Sequence, residues 1–177
     1  NPDLHEDLKI ADVLVLNSAD YDMLKPLEEE IVRRVEAGTL GLLIIPSSKN
    51  FSELGYQGTQ IEKLLPVSTS SETWRGTPGN LVLPSAETPY NFLRLIDDPI
   101  QNVEFFATLP RFEGIYEYGG LKPGSEVLVS STVRSSSDTI PFMIRARAGL
   151  GNVVLISGGP LWPAGFRLVP SDRGFAP

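Results

Sequence analysis

The chain has no cysteine. That removes disulfides, thiolate metal sites and every cysteine-nucleophile mechanism at once. It leaves the compartment open, because disulfide-free domains occur everywhere. Histidine is almost as scarce: His5 is the single imidazole, and it precedes the first apolar segment. No apolar run approaches the roughly 20 residues of a membrane-spanning helix; the longest, at 40–45, has the length of a strand. Basic charge is thin as well. Fifteen Lys and Arg stand against 22 Asp and Glu, for a net charge of −7, and Arg33-Arg34 is the one adjacent basic pair. Nucleic-acid affinity comes largely from neutralised phosphates, so this distribution excludes a nucleic-acid binder as the leading reading. There is no start methionine and no signal peptide at Asn1-Pro2-Asp3. The expectation is a domain from a longer protein, with any membrane anchor outside this chain.

What is present is ordinary globular material. Its 177 residues, 41% of them hydrophobic, suffice for one domain with a real core. Residues 1–10 are expected as a flexible lead-in, 11–168 as the domain and 169–177 as a tail. Ala11 to Asn17 reads as a short strand buried on both faces, because its apolar positions are consecutive. Leu24, Leu27, Ile31, Val32 and Val35 recur at helical spacing. Asp20 or Asp22 is placed to cap that helix, Pro26 falls in its first turn, Glu29–Arg33 and Glu30–Arg34 pair on the wet face, and Gly38 ends it. A second buried strand follows at 40–45, making a βαβ unit.

Thr59 to Leu65 reads as a short helix, and Val67 to Asn80 as an irregular excursion carrying Trp74, with a brief strand at Leu81–Leu83. Tyr90–Ile96 and Asp98–Leu109 are helical candidates, the second opened by Asp97-Asp98-Pro99 with Ile100, Val103 and Phe106 or Ala107 facing inward. Glu126–Ser130, Ile140–Arg147 and Asn152–Ser157 read as three strands. Ile140, Phe142, Ile144 and Ala146 alternate with Pro141, Met143, Arg145 and Arg147, and Gly149-Leu150-Gly151 supplies a hairpin turn.

A set of short segments in order then carries a resemblance: 12–16, 32–45, Phe51-(x)3-Gly55-Tyr56-(x)-Gly58-Thr59, Leu64-Leu65-Pro66-Val67, Leu109-Pro110, Leu121-Lys122-Pro123-Gly124, Pro141-Phe142, Gly149-(x)-Gly151-Asn152-Val153 and Leu161-Trp162. Together they resemble the class I glutamine amidotransferase-like domains of large bacterial membrane-anchored proteins, which often also carry von Willebrand factor A-type domains. The resemblance implies a flavodoxin-like three-layer α/β sandwich, mainly parallel, extended here by antiparallel strands from the C-terminal third. It also implies a Cys-His-Glu triad with its nucleophile on the turn after the strand ending at Ile45. Here that turn is Pro46-Ser47-Ser48, and the histidine of the late chain is missing. Glutamine hydrolysis needs a thiolate beside an imidazole, so amidotransferase activity is not expected.

Ser47 and Ser48 remain as degenerate elbow positions, with Lys49 the one nearby amine; capping a following turn is the plainer role. Asn17, Ser18, Asp20 and Tyr56 are candidates to line the crevice beyond the strand ends, where open α/β sheets take ligands. Asp3, Glu6 and Asp7 around His5 read as a solvated segment rather than a metal site. Ile156-Ser157-Gly158-Gly159 lacks the upstream glycine of a nucleophile elbow. Trp74 and Trp162 are each read either as an interface anchor or as a lid over the sheet edge. No cofactor and no metal are expected. The expected function is a non-catalytic interaction or ligand-sensing module at the extracytoplasmic or membrane-associated face of a bacterial envelope protein. Its partners would be the parent's other domains, or a second copy in a homodimer. A hydrolase using Ser47 or a carboxylate-bound metal is the alternative.

Overall fold

A computed structural model describes residues 2–46, 49–76, 78–109, 112–133 and 138–159. Ser47, Ser48 and Trp162 lie outside them. The fold is mixed α/β around a six-stranded mixed sheet. Its strands are β1 (Val13–Asn17), β2 (Gly41–Ile45), β4 (Pro78–Val82), β6 (Glu126–Val133), β7 (Thr139–Ala148) and β8 (Gly151–Ile156), in the spatial order β1-β2-β8-β7-β6-β4. β1, β2 and β8 run parallel, and the rest pair antiparallel. A second, three-stranded antiparallel sheet joins β3 (Glu72–Gly76), β5 (Gly114–Tyr118) and β9 (Gly158–Gly159) beyond the end of β8. The helices are α1 (Pro2–Ile10), α2 (Tyr21–Leu24), α3 (Glu28–Glu36), α4 (Gln60–Leu64) and α5 (Pro99–Thr108).

The βαβ unit is present, with differences that have physical causes. Pro26 cannot donate to the helical ladder, and the expected single helix divides into α2, a 3-10 turn at Lys25–Leu27 and α3. Asp20 precedes α2 without a side-chain cap bond. Glu30 bonds Arg33 at 2.7 Å instead of Arg34. Arg34 turns inward, donating to the carbonyls of Leu8, Ala11 and Thr39. Those bonds, with Leu8 at 3% exposure, tie down α1 where a flexible lead-in was expected. Thr59 and Asp98 cap α4 and α5 through their side chains. On α5, Phe106 and Asn102 face inward while Ile100 is exposed. The 90–96 segment forms a 3-10 turn at Asn91–Leu93 rather than a helix.

One face of the large sheet is packed. Leu16, Leu42, Ile44, Val153, Leu155 and Ile144 meet Ile31 and Val35 of α3 in one cluster. Ile140, Phe142, Leu81 and Leu128 meet Phe106 and Ile115 in a second. At Gly151 the α3 end comes so close that a Cβ would run into the Val35 carbonyl, so this position requires glycine. The opposite face differs from the expectation of strands covered on both sides. There Val13 and Val15 are 58% and 53% exposed, and Leu43 and Val154 are half-buried. β1 is the sheet edge, and an edge position overrides what a continuous apolar run suggests locally. Among the described residues no helix is long and apolar enough to cross a membrane.

Candidate functional site

The carboxyl ends of β1 and β2 carry the turn at 18–20 and the loop at 46–59. The two are stitched together. Ser18, held in the left-handed region at φ 50°, donates its N–H to the Ile45 carbonyl at 2.8 Å and its hydroxyl to the Pro46 carbonyl at 3.4 Å. Asp20 pairs with Lys49 at 3.1 Å. Tyr21 N–H donates to the Leu54 carbonyl at 2.7 Å. Tyr56, 1% exposed, donates its hydroxyl to the Ala19 carbonyl at 2.9 Å, and burial holds that hydroxyl far above the usual tyrosine range. Of the crevice candidates, Ser18, Asp20 and Tyr56 come together, but their polar atoms bind the protein itself. Asn17 ends β1 exposed at the sheet edge.

The loop's backbone donors are engaged in the same way. Asn50 N–H donates to the Glu53 carboxylate at 2.8 Å, and Glu53 N–H returns to Asn50 Oδ1 at 2.7 Å. The N–H groups of Leu54, Gly55 and Tyr56 go to the carbonyls of Asn50, Ser52 and Phe51. The adjacent amides of Phe51 and Ser52 donate to Glu72 of β3 at 3.2 and 3.4 Å.

Glu72 is the residue the sequence reading missed. It sits in the Ser/Thr-rich stretch expected as an excursion, whose alternating Glu72-Thr73-Trp74-Arg75 is a strand pattern. Across from it lies β5, a strand the sequence reading did not assign. Glu72 pairs with Tyr118 and Trp74 with Tyr116, so these four share one face. The rings continue inward: Trp74–Tyr116 at 4.8 Å, Tyr116–Tyr118 at 6.2 Å, Tyr118–Phe51 at 5.8 Å and Phe51–Tyr56 at 5.6 Å. Trp74 lies over Gly114, whose missing side chain makes room for the indole.

Burial lifts the Glu72 carboxyl above its ordinary range, outweighing the two amide bonds, and Glu53 and Glu62 push the same way. A carboxyl raised by folding contributes stability that is complete below the unfolded value near 4.5 and is lost as pH rises through the higher folded value. Glu72→Gln keeps an acceptor for the amides without the charge. Its denaturation midpoint relative to the parent chain is expected to improve steadily from pH 4 to pH 7, as read by urea titration across that window; the opposite slope would mean a lowered carboxyl.

Tyr118 adds a second anomaly: its hydroxyl is buried with no hydrogen-bond partner among the described residues, and burial raises its pKa well above the usual value. An unsatisfied buried hydroxyl costs about 1–3 kcal/mol. Tyr118→Phe is therefore expected to stabilise the chain by about 1 kcal/mol in chemical denaturation, whereas a loss of that size would reveal a partner for the hydroxyl.

His5 lies exposed on α1, near enough to Glu30 to act on its carboxyl, and Glu6 pairs with Lys9 at 2.7 Å. Ser157 of the Ile156–Gly159 segment is fully buried and donates to the Pro141 and Phe142 carbonyls at 2.6 and 3.0 Å. Among the described residues no group of three or more His, Asp or Glu is placed to hold a metal.

The chain matches no protein-family model and no curated protein. It is similar in structure to cytoplasmic protein STM1381 from Salmonella typhimurium LT2, with a TM-score of 0.63 and 15% identity over 87% of this chain and 64% of that one. It is similar also to cytoplasmic protein STM3548 from Salmonella typhimurium, with a TM-score of 0.61 and 17% identity over 87% of this chain and 62% of that one. A β-galactosidase from Bacillus circulans sp. alkalophilus aligns at a TM-score of 0.42 and 12% identity, over 89% of this chain and 20% of that one. The likeness to the two Salmonella proteins is one of fold, and this chain spans less than two thirds of either.

Proposed function

We propose that this chain is a class I glutamine amidotransferase-like domain of flavodoxin-like type that performs no catalysis and serves as an interaction or ligand-sensing module in a larger bacterial protein. One observation carries the reading. Among its described residues, the loop after β2 spends its amides on Glu53, Glu72 and its own carbonyls, and its lysine on Asp20. An oxyanion site needs donors aimed at an empty position, and here protein carboxylates and carbonyls take them. The half-exposed apolar face around Val13, Val15, Leu43 and Val154 is the surface with material to bury. The partners are the parent protein's other domains, at the extracytoplasmic or membrane-associated side.

The test has two arms. Incubation with glutamine and with ester, amide and glycoside substrates, with and without divalent metals, is expected to give no turnover; turnover abolished by Ser47→Ala, or dependent on a metal, defeats the proposal. Leu43→Glu and Val154→Glu, on half-exposed positions, are expected to leave the fold intact and to abolish binding of the parent's remaining domains in calorimetry. Unchanged binding removes that face as the contact surface.

A further inference from the structure

β1 ends the sheet with a bare edge. Gly41 N–H donates to the Asp12 carbonyl at 2.8 Å, and Ser18 N–H donates to the Ile45 carbonyl, so even-numbered residues of this segment turn their backbone toward β2. Residues alternate along a strand, and the N–H and C=O groups of Val13, Val15 and Asn17 therefore point outward, with no strand beside them among the described residues. The edge carries none of the usual protection: Val-Leu-Val-Leu-Asn has no lysine, proline or bulge. Alongside runs an apolar groove of about 220 Å³, lined by Leu8, Leu14, Leu16, Met23, Leu24 and Leu27 among others. Met23 in its lining stands 63% exposed.

The topology says what belongs there. α3 carries the chain from β1 to its parallel neighbour β2 on the packed face of the sheet. α1 lies on that same face: Leu8 shares the cluster of Ile31 and Val35, and Arg34 of α3 bonds the carbonyls of Leu8 and Ala11. Parallel crossovers are right-handed in about 98% of cases. Two such crossovers on one face step across the sheet in one direction. β1 to β2 steps toward β8, so a strand feeding α1 falls on the other side of β1, at the bare edge.

We propose that the edge of β1 takes a further parallel strand, supplied by the same polypeptide on the N-terminal side of α1, with its groove-facing side chains apolar. The two Salmonella structures that share the fold extend beyond the part this chain matches, which leaves room for such an element. This inference stands whether or not the domain is catalytic.

Hydrogen exchange tests it, on the 177-residue chain and on the same chain lengthened by whatever its gene encodes immediately ahead of Asn1. The Val13, Val15 and Asn17 amides are expected to exchange at least about tenfold more slowly in the longer protein, at every protein concentration, as ladder formation requires. Equal rates in the two chains overturn the proposal, as does a gene with no codons ahead of Asn1. Protection that grows with concentration in the shorter chain overturns it in favour of a second copy. Protection lost on deleting 160–177 overturns it in favour of the C-terminal segment.

Discussion

Arg34→Met is expected to destabilise the chain by about 3 kcal/mol or more. Arg34 is 9% exposed and makes no salt bridge among the described residues. Its donors go to the carbonyls of Leu8, Ala11 and Thr39 and to the Thr39 hydroxyl. Leu8 and Ala11 flank the end of α1, where helix carbonyls have no intrahelical donor and a cation is favoured by the dipole. Thr39 closes the turn from α3 into β2. One side chain thus joins α1, the entry to β1 and the entry to β2. Methionine keeps the apolar stem but orphans several carbonyls, each costing about 1–3 kcal/mol where water cannot reach. Arg34→Lys is expected to recover less than half, since one ammonium cannot span a fork of acceptors. Urea denaturation followed by circular dichroism reads both variants. A change below about 1 kcal/mol for Arg34→Met would show that α1 is held by Leu8 alone.

Tyr56→Ala is expected to cost about 3–5 kcal/mol, the range for emptying a large aromatic site in a packed core. Its ring meets Phe51 edge-on at 5.6 Å and Tyr21 at 6.2 Å, and its hydroxyl bolts the loop after β2 to the turn after β1. Tyr56→Phe isolates the bolt from the packing. About 1 kcal/mol is expected there, the net worth of one hydrogen bond with the Ala19 carbonyl left behind. The alanine variant is also expected to expose residues 18–20 and 49–56 to faster hydrogen exchange while β7 and β8 stay protected. If both variants keep full stability, the crevice is held shut by something other than Tyr56.

Local signals carried the parts of this fold whose partners are close in sequence. The helical stripe from Leu24 to Val35, the Thr59 and Asp98 caps and the alternation along 140–147 each declare an element on their own. The three-stranded sheet was illegible because each strand has five residues or fewer and finds its partner about 40 or more residues away, as in Glu72 opposite Tyr118. α1 was illegible for a similar reason. Its sequence is polar with a weak apolar face, and what fixes it is a residue of α3 whose spacing from Glu30 suggested a wet ion pair. The crevice was half legible. Ser18, Asp20 and Tyr56 lie together and bond to Pro46, Lys49 and Ala19, but the Phe51 and Ser52 amides beside them are taken by Glu72, which no spacing rule ties to the 50s loop.

The account turns on whether the strand-end crevice is closed by the protein's own groups, and the amides of Phe51 and Ser52 report that directly. Their hydrogen exchange, measured residue by residue with and without glutamine, acetate or phosphate, should be slow in the unliganded protein, indifferent to each addition, and fast in Glu72→Ala. Fast exchange in the parent chain that slows when one of these compounds is added would show an open anion site in the loop after β2, and the non-catalytic reading would fall with it.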